Sequence, residues 1–281
     1  MSSIKDRQRA AARARLEKEM SERAAAARKR RQRQAIIGSA IAVVLIAGAA
    51  VLVVTQLNKD DKKSTSSASP VPAGQVACTW TPNTDTSTGA KIKDVGGTPP
   101  ATVPNTGTDT MNIATSLGTI SATVDKTKAP CTAAAFEFLA SKKFWDNTKC
   151  HRLVTEGIKV LQCGDPFATG KGYRQTDGSG GPNFEYPEEN LPVGKDPTYP
   201  TGTLAMARTQ QPGTTGSQFF LVYGDIAAAS LPAQYTVLGT VTKGLDIVQK
   251  VAKAGSDNAN GQGDGHPKQE IDIKSLTMAA A

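Results

Sequence analysis

From residue 110 onward, apolar and polar positions alternate or gather into short runs rich in β-branched residues. The runs are 110–116 (TMNIATS), 119–125 (TISATVD), 150–154 (CHRLV), 158–163 (IKVLQC), 203–208 (TLAMAR), 217–223 (SQFFLVY), 235–241 (YTVLGTV) and 270–278 (EIDIKSLTM). Each has the length of a strand, so the pattern predicts eight strands. Two segments carry the helical period instead. In Pro130–Ser141 the proline suits a first helical position, and Ala134 with Phe138 and Ala135 with Leu139 lie one turn apart. In Gly244–Ala254, Ile247, Val248 and Val251 share a face. Eight strands and two helices within 109–281 predict a mainly β domain, an eight-stranded closed antiparallel barrel capped by two α-helices. A two-sheet sandwich accommodates the same strand count.

The longest apolar run lies outside that domain. Residues 35–57 (AIIGSAIAVVLIAGAAVLVVTQL) hold no charged side chain. About 20 apolar residues cross the hydrocarbon core, so this stretch predicts one transmembrane helix. Ala47-Gly48-Ala49 offers the small-x-small pattern of a cleaved signal. A signal's apolar region is usually ~7–15 residues and follows a short basic leader, so an uncleaved anchor is favoured. Arg28, Lys29, Arg30, Arg31 and Arg33 precede the span, against Lys59, Lys62 and Lys63 after it. That bias places the N-terminus in the cytoplasm and the body outside the cell membrane, in a single pass.

Charge sharpens the division. The chain carries +8 overall, with 33 Lys/Arg and 25 Asp/Glu. Residues 1–34 hold 12 of the basic and 4 of the acidic side chains, which leaves 21 of each in the rest. A basic tail beside a membrane predicts contact with anionic lipid. The electrically balanced body excludes a nucleic-acid groove. Residues 58–108 are dense in Ser, Thr, Pro and Gly and read as an extracytoplasmic linker and extension, with Lys59–Gly74 a tether. Cys78 and Trp80 mark a part, from about residue 76, that packs on the domain.

Cys78, Cys131, Cys150 and Cys163 all fall on the side predicted to be oxidising, which points to disulfides. Four cysteines allow three pairings, and free buried thiols are the alternative. Strands 150–154 and 158–163, if paired, would bring Cys150 to Cys163 and leave Cys78 for Cys131. No Cys-x-x-Cys spacing exists and there are two histidines, so no metal site is expected.

The same two histidines bound nucleophilic chemistry. His266 lies in Gly-Gln-Gly-Asp-Gly-His-Pro, a loop composition, and reads as a surface residue. His151 neighbours Arg152 on a strand and so faces the other way, which marks it as structural. Glu188 and Glu189 sit in a polar run and read as solvated carboxylates. Gly178, Gly180 and Gly181 precede Pro182 instead of a helix and make no phosphate loop. Arg152 and Gln162 stand out as polar positions on apolar strands, and Gln218 and Phe220 share one face of theirs.

These residues fall into ordered blocks: His151-Arg152, Gln162-Cys163-Gly164-Asp165, Gly202-Thr203-Leu204-Ala205-Met206-Ala207 and Gly216-Ser217-Gln218-Phe219-Phe220. With Gly118-Thr119-Ile120, the Pro130 helix and Tyr235-Thr236-Val237-Leu238-Gly239, the chain over roughly 110–278 resembles the cyclophilins. That resemblance implies the capped barrel and peptidyl-prolyl cis–trans isomerase activity on Pro-containing, exported polypeptides. It implies catalytic roles for Arg152, Gln162, Phe220 and Tyr235. It implies substrate-binding roles for Val160, Ala207, Arg208, Gln218 and Leu231, with no cofactor. The chain departs from the family pattern in four places. Two extra residues separate Arg152 from Gln162, Lys159-Val160 replaces Phe-Met, and Tyr235 stands for the pocket histidine. Ser230 replaces an aromatic, which implies weak or no cyclosporin binding. Together these imply weaker activity or an altered substrate preference, and a non-catalytic module that binds Pro-containing segments is the alternative.

Overall fold

The computed structural model describes residues 71–84 and 90–281. The basic tail, the predicted membrane span and most of the tether lie outside the described residues. No helix among the described residues is long and apolar enough to cross a membrane.

Ahead of the body the chain forms β1 (Gln75–Ala77), β2 (Thr81–Pro82), β3 (Ile92–Lys93) and β4 (Thr102–Pro104). The body continues with β5 (Thr108–Thr115), β6 (Gly118–Asp125), α1 (Pro130–Ser141), β7 (Thr148–Lys149), β8 (Arg152–Val154) and β9 (Val160–Cys163). Then come β10 (Gly181–Pro182), β11 (Phe184–Glu185), β12 (Thr203–Met206), β13 (Phe219–Val222) and β14 (Val237–Lys243). Helix α2 (Leu245–Ala254), β15 (Asp264–Gly265) and β16 (Asp272–Ala280) complete it. Both predicted helices are present, and the eight predicted strands appear as β5, β6, β8, β9, β12, β13, β14 and β16 with ends moved by two residues at most.

The closed eight-stranded barrel is corrected. Ten strands form one antiparallel sheet in the order β15-β8-β9-β13-β12-β14-β6-β5-β16-β7, curled into a half-barrel with edges at β15 and β7. Closure would pair the edge strands β15 and β7, and the outer side of β7 is already taken by the loop after β9: Lys149 N–H donates to Ala168 O (2.8 Å), and Thr148 bridges Thr169. Both edge strands are two residues long.

Burial follows the period of two: Met111 and Ile113 on β5, and Ile120, Ala122 and Val124 on β6, face the core. Helix α1 covers it with Phe136, whose ring lies 4.8 Å from Trp145 and 5.9 Å from Phe219. The first turn of α1 has no acidic residue of its own. Glu189 supplies one, its carboxylate accepting from the backbone N–H of Cys131 (3.1 Å) and Thr132 (2.8 Å). A carboxylate there answers both the unpaired amides and the positive end of the helix dipole. Glu189 and Glu188, which pairs with Arg208 at 3.0 Å, are therefore engaged, not merely solvated.

Within the extension β1 pairs with β4, and the extension packs on the body through two small pairings, β2 with β11 and β3 with β10. Trp80 meets Phe184 (5.6 Å) and Tyr186 (5.4 Å) edge-on. A disulfide joins Cys78 to Cys131 at the start of α1, and a second joins Cys150 to Cys163. All four cysteines are paired.

Candidate active site

Register alone assembles the site. Across the curled sheet, Arg152 on β8 pairs with Gln162 on β9, Gln162 with Phe220 on β13, and Phe220 with Ala205 on β12. One row thus carries a cation, an amide and an aromatic ring on adjacent strands. Gln218, two residues before Phe220, emerges on the same face. Its place is set from the core: Trp145 Nε1 donates to Ser217 O (3.2 Å), and Ser217 Oγ to Gly164 O (2.9 Å). Gly164 has φ of +104°, and a Cβ there would overlap the Ser217 carbonyl, so only glycine serves.

The polar half of the row is a chain of donors. Arg152 Nη1 donates to Gln162 Oε1 (3.3 Å), and Gln162 Nε2 to Gln218 Oε1 (2.9 Å). Gln218 Nε2 donates to the carbonyls of Gly178 (2.8 Å) and Gly180 (3.0 Å). That glycine-rich loop is itself gathered by the buried Asp165 carboxylate, which accepts from the N–H of Phe167, Gly178 and Gly180. On its other side Arg152 meets Asp264 through two bonds, Nε to Oδ1 (2.8 Å) and Nη2 to Oδ2 (2.6 Å). The carboxylate raises the guanidinium above its ordinary pKa, and the guanidinium holds Asp264 below its own.

The apolar half is a separate cluster. Val154, Val160, Tyr199, Ala205, Phe220, Val222 and Ile226 are buried together, with Ile158, Ala207, Leu231 and Tyr235 partly buried around them. Three aromatic rings shape it: Phe220 lies 5.8 Å from Tyr235 and 6.1 Å from Tyr199. Ile158 packs where the sequence lacks an aromatic, while Lys159 turns outward with Nζ on the Thr155 carbonyl (2.7 Å). Ser230 is exposed. Beside the cluster runs a groove of about 350 Å³ lined by Gln162, Gly180, Ala207, Arg208 and Gln218. Ala207 stands where groove and cluster meet. Arg208 forms groove wall, but its guanidinium is occupied by Glu188, by the carbonyls of Thr209, Gln210 and Gln234, and by the face of Tyr235 (5.5 Å).

The structure therefore gathers all nine candidate residues around one row, the apolar ones on one side and the amides on the other. Sequence reasoning missed Tyr199 and Asp264. Tyr199 is a lone tyrosine between prolines, yet its hydroxyl donates toward the carbonyls of Pro232 (3.2 Å) and Tyr235 (3.3 Å) and accepts from Tyr235 N–H (3.0 Å). Asp264 sits in a stretch that composition marks as loop.

His151 is buried against the Gly178 loop, and burial pushes its imidazole down to a pKa of about 4 from the ordinary 6.5. Asp165 and Asp177 oppose that shift, while Arg152 and His266 reinforce it. Between those values the unfolded chain binds more protons than the folded one, so stability falls as pH drops. At ~1.4 kcal/mol per pH unit, about 2 kcal/mol is lost between pH 6.5 and 5. Urea unfolding across that range tests this. The same titration with His151→Gln should lose most of the slope, and an unchanged slope would assign it elsewhere.

One curled antiparallel sheet thus presents a fixed arginine, two amides and an aromatic-walled apolar cup side by side. Residues 110–278 match the sequence profile described as cyclophilin type peptidyl-prolyl cis-trans isomerase/CLD, and the chain belongs to that family. Similar proteins include a probable peptidyl-prolyl cis-trans isomerase B of Mycobacterium leprae, 43% identical over 192 residues, which are 64% of this chain and 58% of the relative. The Mycobacterium tuberculosis protein so described is 42% identical over 197 residues, 64% and 59%. A peptidyl-prolyl cis-trans isomerase of Acinetobacter baylyi is 31% identical over 175 residues, 60% of this chain and 84% of the relative. The chain thus spans less than two thirds of the mycobacterial relatives' length. A crystal structure of a cyclophilin-type isomerase from Cryptosporidium parvum, obtained in the presence of the dipeptide Ala-Pro, shares the fold. Its TM-score is 0.50 at 24% identity, covering 61% of this chain and 99% of that one.

Proposed function

We propose that this protein is a peptidyl-prolyl cis–trans isomerase that accelerates rotation about Xaa-Pro bonds in exported polypeptides from a membrane-anchored, extracytoplasmic position. The observation that carries the reading is the row Arg152–Gln162–Phe220, in a chain that belongs to this family. The barrier to Xaa-Pro rotation, about 20 kcal/mol, exists because the nitrogen lone pair is delocalised into the carbonyl. A proline ring seated against Phe220, Val160, Leu231 and Tyr235 brings its nitrogen toward Arg152. A hydrogen bond from the guanidinium draws the lone pair out of conjugation and favours the twisted state. The guanidinium is permanently charged and held in place, so no proton moves and no covalent intermediate forms. Gln162, Gln218 and the backbone at Ala207 and Arg208 hold the neighbouring peptide in the groove.

Two disulfides that use all four cysteines support an oxidising compartment. The uncharged run 35–57 after a basic tail supports a single-pass anchor with the N-terminus inside and anionic lipid against the tail. Ser230 supports weak or no cyclosporin binding. The test is NMR exchange spectroscopy of a peptide with one Xaa-Pro bond, with and without the full-length protein. Uncatalysed exchange takes about 10–100 s, and the protein should bring it into the sub-second range. Peptide that binds without faster exchange would replace this reading with a non-catalytic module for Pro-containing segments.

A further inference from the structure

The stretch 257–267 has the composition of a surface loop, yet it is knitted as tightly as a turn in the core. Asp257 Oδ1 accepts from the N–H of Ala259 (3.0 Å) and His266 (2.8 Å), and Asp257 Oδ2 pairs with His266 Nδ1 at 2.8 Å. The His266 ring stacks on Tyr173 at 4.4 Å. Asn258 Oδ1 accepts from Gly263 N–H (2.9 Å), and Gly263 O accepts from Thr155 N–H (2.7 Å). A Cβ on Gly265 would overlap the Asp257 carboxylate and the Ala259 nitrogen, so the backbone can close this far only on glycine. At the centre of the closure Asp264 pairs in register with Val154 of β8, beside the arginine.

We propose that Asp264 is the positioning residue of the site: it clamps the Arg152 guanidinium in one plane and leaves only its groove-side N–H bonds for substrate. The inference rests on the isomerase reading above. A guanidinium has five N–H donors in a fixed fork. Two go to the Asp264 carboxylate and one to Gln162. The two that remain, one on each terminal nitrogen, belong to the edge turned away from Asp264. With side chains 38% and 23% exposed, the Arg152–Asp264 pair gains little from charge alone. Its worth lies in geometry. A bidentate carboxylate removes the rotations about Cδ–Nε and Cγ–Cδ that would swing the donor away from a prolyl nitrogen. The carboxylate acts without touching substrate.

The test measures the full-length protein and its Asp264→Ala and Asp264→Asn variants with a single-Pro peptide, reading exchange at saturating peptide separately from peptide affinity. For Asp264→Ala the exchange rate should fall about 10- to 100-fold, while affinity changes by less than about threefold. Asn keeps an acceptor for Nε and should fall between Ala and wild type. Added to Arg152→Ala, Asp264→Ala should cost nothing more. The Arg152 Nε–Hε NMR signal reports the clamp without any activity, and should be protected from solvent exchange in the wild type, partly protected in Asp264→Asn and unprotected in Asp264→Ala. A catalytic wild type matched by Asp264→Ala overturns the positioning role, as does an unprotected Nε–Hε. An additive loss in the Arg152→Ala background makes Asp264 merely structural and overturns it too. A wild type that does not accelerate exchange overturns the isomerase reading and this inference together.

Discussion

Arg152→Ala is expected to lower kcat/KM for Xaa-Pro isomerisation about 10²- to 10³-fold, the usual cost of removing a donor aimed at a developing lone pair. The loss should fall on exchange within the bound complex more than on binding. The apolar cup of Val160, Phe220, Leu231 and Tyr235, and the groove beside Gln218, do not depend on the guanidinium. The fold should survive, since Arg152 is half-exposed and its partner Asp264 retains Asn260 Nδ2 at 3.2 Å and access to water. Arg152→Lys separates charge from shape. Lysine keeps the cation but cannot meet Asp264 with two parallel bonds while facing Gln162, so its rate should lie nearer alanine than wild type. NMR exchange of one peptide across the three proteins, with circular dichroism as the control for folding, measures this. A lysine variant at wild-type rate would mean that charge alone suffices.

The second large effect concerns stability. The Cys78–Cys131 disulfide closes 53 residues, and removing that link from the unfolded chain should cost about 4 kcal/mol. Cys150–Cys163 closes only 13 and should be worth about 3 kcal/mol. Denaturant unfolding of a Cys78→Ala, Cys131→Ala protein should therefore show a lower midpoint. Its tryptophan signal should also divide. Trp80 sits on the extension against Phe184 and Tyr186, whereas Trp145 is buried in the body, so loss of the link should free Trp80 at lower denaturant than Trp145. A single transition at the wild-type midpoint would show that the short pairings of β2 and β3 with the body hold the extension unaided.

What the sequence made legible follows from length and period. Strands such as β5 and β6 run for eight residues with strict alternation, and α1 shows its Pro130 start together with i, i+4 apolar pairs. The strands of the extension span two or three residues, too few for a period of two to show, and β2 and β3 pair with segments about a hundred positions away. The open edge of the sheet was equally hidden, because nothing local records that the outer side of β7 bonds to Ala168 and Thr169. Within the site, Arg152, Gln162, Gln218 and Phe220 were visible as polar or aromatic oddities on strands. Asp264 and Tyr199 were not, because their surroundings in sequence are ordinary turns and their partners lie 112 and 36 residues away. Glu189 misled for the same reason: an acidic residue in a polar run looks solvated until the helix it caps, 57 residues earlier in the chain, is folded beside it.

The chain of amides beside Arg152 also has a direction. Gly178 and Gly180 offer only carbonyl oxygens to Gln218, which forces its NH₂ outward to them and its oxygen inward. Gln162 must then turn its own NH₂ to that oxygen and its Oε1 to the arginine. Neither amide can flip alone without setting donor against donor. Two glycine carbonyls therefore decide which atom confronts the guanidinium, and a change of sequence in 164–177, which sets the path of that loop, can retune the arginine while every groove residue stays the same.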